Sequence, residues 1–242
     1  MVLLKELNLG ARLATQLRKR QLANPIVIAM SSGGVRLAWE LASDLRLPMD
    51  VLITSEIVVP GYRQVRIGAV AGNAFRPNQQ VLAAEGLPAD YVERLAARGI
   101  RRQEAQDRVF RRRQPPLNVT GSGVILVDNG WSSSFAVRTA VEVLWQRGAA
   151  EIIYASPICD SETLERISEK AGVVTVYPGN ARHSVLAGDG SLASVTIEEA
   201  ATWIKASRGF EKRNKLPSLM ERTPGFNASR PSDQLNQVME AH

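Results

Sequence analysis

The chain predicts an α/β fold: a doubly wound, mainly parallel sheet with helices on both faces. Three observations carry this. Short apolar runs rich in β-branched residues recur along the chain. Segments of helical period alternate with them. Small and polar turn residues separate the two kinds.

In order, Leu9 to Gln21 has helical spacing, with Leu13 and Leu17 near one face. Pro25–Met30 reads as a buried strand ended by a tight Ser31-Ser32-Gly33-Gly34 loop. Val35–Leu45 is helical and Asp50–Thr54 is a second strand. Arg66–Ala71 and Gln80–Ala83 predict a small β flap or hood. Asp90–Arg113 predicts a long arginine-rich helix, interrupted at Gly99 and stopped by Pro115-Pro116. Val124–Val127 is the most apolar strand, followed by a helix from Ser132 to Gln146. Glu151–Ser156 and Val173–Tyr177 are strands around a helix at Ser161–Ala171. Thr196 and Glu199 form a capping box whose helix is expected to end near Ala206. Residues 1–207 would form the domain. Residues 208–242 would form a polar tail, disordered or serving as an arm for a protein partner.

Composition narrows the function classes. The single cysteine, Cys159, excludes an internal disulfide and a cysteine zinc cluster, and reads as a core residue. Two histidines, His183 and His242, give little basis for a histidine-rich metal site. No run approaches the ~20 apolar residues that cross a bilayer, and Lys5 and Glu6 follow the first residues at once, so the expected compartment is the cytoplasm. The net charge of +6 admits phosphorylated ligands or nucleic acid. Nucleic acid ranks last, because no aromatic platform accompanies the arginines. Those arginines read first as a solvated helix face, and second as groups able to reach phosphates.

In a doubly wound sheet, ligands sit outside the carboxyl ends of strands at the switch point. Two loops qualify: Ser31–Gly34, and Asp128-Asn129-Gly130-Trp131-Ser132-Ser133-Ser134-Phe135-Ala136. Ser132, Ser133 and Ser134 supply hydroxyls and backbone N–H groups at a helix start, which favours a phosphate. Asp128 and Asn129 at the strand tip could hold sugar hydroxyls. A plain strand-to-helix turn with serine caps is the competing reading. Trp131 packs in the core or stacks on a ligand, the core being favoured.

The segment Val124–Val137 resembles the phosphoribosyl-pyrophosphate motif of type I phosphoribosyltransferases. Ala29–Val35 is similar to that family's pyrophosphate loop, and Val59–Ala71 to the segment after its second strand. The likeness runs over roughly Leu9 to Pro178 and is nearest to stand-alone bacterial members. It implies that Asp128 and Asn129 hold the ribose, and that Gly130 and Ser132 to Ala136 (with Phe135 among them) cradle the 5′-phosphate. Ser31, Ser32, Gly33 and Gly34 would then hold the pyrophosphate, with Mg²⁺ carried by the ligand if the protein is active. The implied ligands are phosphoribosyl pyrophosphate or a nucleotide; apart from the resemblance, a homodimer is the general expectation for an oligomer.

The chain departs from the motif on charged positions. Asn129 stands for the second acid, Ser32 for an arginine and Glu56 for a lysine. Ala136 stands for a threonine, and Phe135 for a small residue. Two functions follow: a phosphoribosyltransferase acting on an unidentified base, or a non-catalytic relative that regulates or assembles protein partners.

Overall fold

The computed structural model describes residues 8–112, 114–178 and 195–220. His183 and residues 221–242 of the expected tail lie outside them.

Chain order is α1 (Leu9–Leu17), β1 (Ile26–Ala29), a single 3-10 turn (Ser32–Gly34), α2 (Val35–Leu45), β2 (Met49–Val51), β3 (Thr54–Val59), β4 (Tyr62–Ala71), β5 (Ala74–Pro77), α3 (Gln79–Glu85), α4 (Ala89–Phe110), β6 (Gly123–Val127), α5 (Ser134–Gln146), β7 (Glu151–Cys159), α6 (Ser161–Ile167), β8 (Gly172–Pro178) and α7 (Ile197–Met220). Five strands form a parallel sheet in the order β2-β1-β6-β7-β8. β3-β4-β5 form a separate antiparallel hood.

Side chains alternate across the parallel strands and so build two cores. Val27, Ala29, Ile125, Val127 and Ala155 face α1, α2 and Ile204 of α7. Ile26, Ile28, Val124, Leu126 and Ile152 face α5 and Ile167 of α6. Burial on both faces explains why these strands read as unbroken apolar runs rather than alternating ones. A third cluster joins Ile57, Val59, Ile67 and Val70 of the hood to Val92 and Leu95 of α4. Cys159 is buried, as expected of a core residue. No helix among the described residues is long and apolar enough to cross a membrane.

Four expectations are corrected. Gln80–Ala83 is helical, because Asn78 caps α3 by accepting from the Val81 N–H at 3.4 Å. The second strand stops at Val51, and Thr54–Val59 forms its own hood strand. α4 runs through Gly99 without a break: a Cβ there would collide with Ile57, so the glycine allows helix and hood to pack closely. The last helix runs beyond Ala206 to Met220.

The start of α7 is tied to the edge of the sheet. The capping box forms, with Glu199 N donating to Thr196 Oγ1 at 3.2 Å and Thr196 N donating to Glu199 Oε2 at 2.9 Å. Trp203 stacks on Trp39 of α2 with ring centres 5.7 Å apart. Ser207 Oγ accepts from the Met49 N–H of β2 at 3.0 Å, and Arg208 Nη2 donates to Pro115 O at 2.6 Å. α7 thus satisfies an outer-edge donor of β2, a group that would otherwise invite strand pairing.

A polar network lies behind the same strand. Asp50 and Arg111 are 1% and 8% exposed. Asp50 Oδ1 accepts from Arg111 Nε at 2.6 Å, and its Oδ2 from Leu117 N at 2.7 Å. Arg111 Nη2 donates to Val51 O, and Nη1 lies 3.6 Å from Asp107 Oδ2. Burial raises the Asp107 pKa against the pull of Arg111 and of Gln103. Arg98, Arg101, Arg102, Arg108 and Arg112 are exposed, so most of this stretch is the solvated face expected of it. Arg111 is the exception, and Arg113 lies outside the described residues.

Candidate active site

The sheet order reverses between β1 and β6, and the loops after these two strands meet there. Ser31, extended at φ −136 and ψ 153, caps the 3-10 turn by accepting from Gly34 N at 3.0 Å. Its hydroxyl donates to Asp128 Oδ1 at 2.8 Å. The paired glycines permit this approach. A Cβ on Gly33 would collide with Asn129 Nδ2. One on Gly34 would sit 3.1 Å from Val127 O.

Asp128 is wholly buried and holds the junction together. Oδ1 also accepts from Ser132 Oγ at 2.7 Å. Oδ2 accepts from Gly130 N at 2.8 Å, Ser132 N at 3.3 Å and Tyr154 Oη at 3.3 Å. Burial, then the neighbouring Asp128 carboxylate, raise the Tyr154 pKa well above its ordinary value, so the phenol keeps the proton it donates. Gly130 turns the chain at φ 88, a conformation costly for other residues. Asn129 Oδ1 accepts from Trp131 N at 3.3 Å. Trp131 is 51% exposed rather than packed in the core, because this tight turn points it outward.

Ser133 caps α5 by accepting from Ala136 N at 3.2 Å. Its own hydroxyl donates to Glu56 Oε1 of the hood at 2.8 Å. Glu56 Oε2 pairs with Arg66 Nε at 2.9 Å. Ser134 Oγ donates to Glu162 Oε1 of α6 at 2.7 Å. Two carboxylates therefore bind the serine hydroxyls at the positive end of α5, where an anion is stabilised. Ser133, Ser134, Phe135, Glu56, Arg66, Asn78, Asp160 and Arg166 line a cleft of about 360 Å³. The N–H groups of Ser133, Ser134 and Phe135 have no partner among the described residues, as expected of a helix start.

The structure thus brings Ser31, Gly33, Gly34, Asp128, Asn129 and Ser132 into one junction, with Ser133, Ser134, Phe135 and Ala136 opening the helix beside it. Ser32 is exposed. Tyr154 and Glu162 were not foreseen. Each sits in a segment whose pattern reports only strand or helix, and each meets the loop across more than 20 residues of chain. Arg111 is committed to Asp50, Asp107 and Val51, which gives it a structural role rather than one over the loop.

A parallel sheet with two facing switch-point loops, one of them a serine-rich helix start, places the chain in the doubly wound α/β class, whose ligand sites lie outside the strand ends. The phosphoribosyl transferase domain family is matched over residues 3–182, and the chain belongs to that family. A Mycobacterium tuberculosis protein named, provisionally, as a phosphoribosyl transferase is 26% identical over 166 residues. That match covers 68% of this chain but only 38% of the relative, so the chain spans well under half the length of the curated relative. A crystal structure of a Thermus thermophilus protein superposes with a TM-score of 0.66 at 27% identity, covering 81% of this chain and 93% of that one.

Proposed function

We propose that the α5 start is a binding site for a 5′-phosphorylated ribose, and that its own carboxylates keep phosphoribosyl transfer slow or absent. The observation that carries this reading is the 2.8 Å hydrogen bond from Ser133 to Glu56. Membership of the phosphoribosyl transferase domain family and the unpartnered N–H groups at this helix start both support a phosphate there. Glu56 stands at the same place with the wrong charge for a phosphate.

The residues would divide the work as follows. Ser133, Ser134 and the N–H groups up to Phe135 take the phosphate oxygens. Asn129 takes ribose hydroxyls through its amide. Asp128 fixes the loop rather than the sugar, since both its oxygens are already engaged. Ser31 to Gly34 would face the diphosphate with backbone donors, without the arginine of the family motif.

Among the described residues, no group of three His, Cys, Asp or Glu side chains could hold a metal ion. Mg²⁺ would fit here as a partner of the ligand's own diphosphate, with Glu56 the carboxylate able to share it. It would supply charge neutralisation of the leaving group. The second reading, a non-catalytic family member working through a protein partner, is favoured by the same Glu56 contact and by the missing cation at Ser32.

Two variants test the site with ribose 5-phosphate in calorimetry. Glu56→Gln removes the competing charge while keeping the side chain's shape, and should tighten binding about tenfold, or ~1.4 kcal/mol. Ser133→Ala deletes a hydroxyl facing the charged phosphate and should weaken binding by ~1.5–3 kcal/mol. Glu56→Gln weakening the binding would contradict the assignment.

A further inference from the structure

A second cleft, of about 750 Å³, opens on the flank of the domain. It lies where the end of α4, the 116–119 segment and the β4–β5 turn meet the C-terminal end of α5. Its volume is in the range of sites for nucleotide-sized ligands. It is a different place from the candidate active site: α5 has 13 residues and so separates its two ends by about 20 Å.

Three arginines wall this cleft, Arg108, Arg111 and Arg147. Arg111 is spent on Asp50, Asp107 and Val51. Arg147 differs, because its guanidinium has no hydrogen bond or ion pair among the described residues. Its Nη2 rests so close over Gly72 of the β4–β5 turn that any side chain there would collide with it. Desolvation, then repulsion from Arg111, lowers its pKa against the attraction of the Asp107 and Asp50 carboxylates. A cation drawn partly out of water beside another cation, without a bonded anion, is held at an energetic cost. A bound anion, hydrogen-bonded to the guanidinium, would offset that cost and screen the repulsion.

The remaining wall suits such a ligand. Asn118 uses its amide oxygen to accept from Thr120 N at 3.0 Å, which leaves its NH₂ as a donor. Asn73 is exposed at the turn. Of the wall's carboxylates, Asp107 is already engaged by Gln103 and Arg111. Glu104 is the other.

We propose that this flank cleft is a second ligand site, taking a small phosphorylated anion through Arg147 and Arg108, with Asn118 and Asn73 donating. Two guanidinium forks and two amides present more donors than one carboxylate can accept. A phosphate group, with several oxygens, uses them better.

The test uses the full chain, inorganic pyrophosphate and titration calorimetry, in a Ser133→Ala background that weakens binding at the α5 start. Pyrophosphate should still bind there. Arg147→Gln should weaken that binding about tenfold, the loss of a hydrogen-bonded charge. Arg108→Gln, on an exposed residue whose replacement does not threaten the fold, should weaken it by a smaller factor of about three. Absence of pyrophosphate binding in the Ser133→Ala background would overturn the proposal, as would binding that neither arginine variant alters. Citrate binding more tightly than pyrophosphate would overturn the phosphate assignment.

Discussion

Asp50→Ala should destabilise the fold by about 3–5 kcal/mol, the typical cost of breaking a buried ion pair from one side. The substitution leaves Arg111, 8% exposed, with only the longer 3.6 Å contact to Asp107 among its carboxylate partners. It also strips Leu117 N of its 2.7 Å acceptor. The segment entering β6 would lose its tie to β2. Urea unfolding of the single variants and of Asp50→Ala with Arg111→Ala measures the effect. The double variant should lose less than the two singles added together, because no orphaned charge remains. A loss below about 1 kcal/mol for Asp50→Ala would show that the pair is solvated.

Asp128→Ala should cost about 3 kcal/mol and abolish binding of ribose 5-phosphate. Each hydrogen bond to a charged group is worth roughly 1.5–3 kcal/mol, and losses at one carboxylate do not add in full. Ser31, Ser132, Gly130 and Tyr154 would all lose an acceptor. Asp128→Asn should cost about half as much. The Oδ1 side meets only hydroxyls, which can rotate to accept from an amide, whereas the Oδ2 side meets backbone N–H groups that cannot. The amide should therefore turn its NH₂ toward Ser31 and Ser132. Thermal and urea unfolding of both variants, beside ligand titration, checks the order. Equal losses for Ala and Asn would contradict it.

The parts of the fold that could be read from residues alone are those with one dominant local cause. β1 and β6 are buried on both faces and so read as apolar runs. α2 keeps strict helical spacing, and its bounds agree with the expected Val35–Leu45. The Thr196–Glu199 capping box is a short local signal, and it forms. Gln80–Ala83 carried no such signal: so short a run fits strand or helix, and the Asn78 cap decided. α7 has weak periodicity beyond Ala206, so its continuation is set by contacts such as Ser207 with Met49, which lie 158 residues apart.

The candidate site divides in the same way. The serine loop was legible because an apolar strand, a glycine turn and a capped helix follow one another in a single segment. Glu56 stood out as a carboxylate where a cation was expected. Its bond to Ser133 spans 77 residues and depends on how the hood folds over α5. Tyr154 was hidden because a buried strand with one tyrosine reads like any other core strand. Trp131 was expected inside on hydrophobicity alone, and the Gly130 turn reverses that.

The proposed α5 site takes a phosphorylated ribose, and Glu56 weakens it. Calorimetric titration of the unmodified protein with phosphoribosyl pyrophosphate, with and without Mg²⁺, tests it most directly. Saturable binding with a dissociation constant on the order of 1 mM is expected. Mg²⁺ should tighten it, by screening the diphosphate from the Glu56 carboxylate. Heat no greater than that of dilution at millimolar ligand, in both conditions, would rule out a phosphorylated-ribose site at the α5 start.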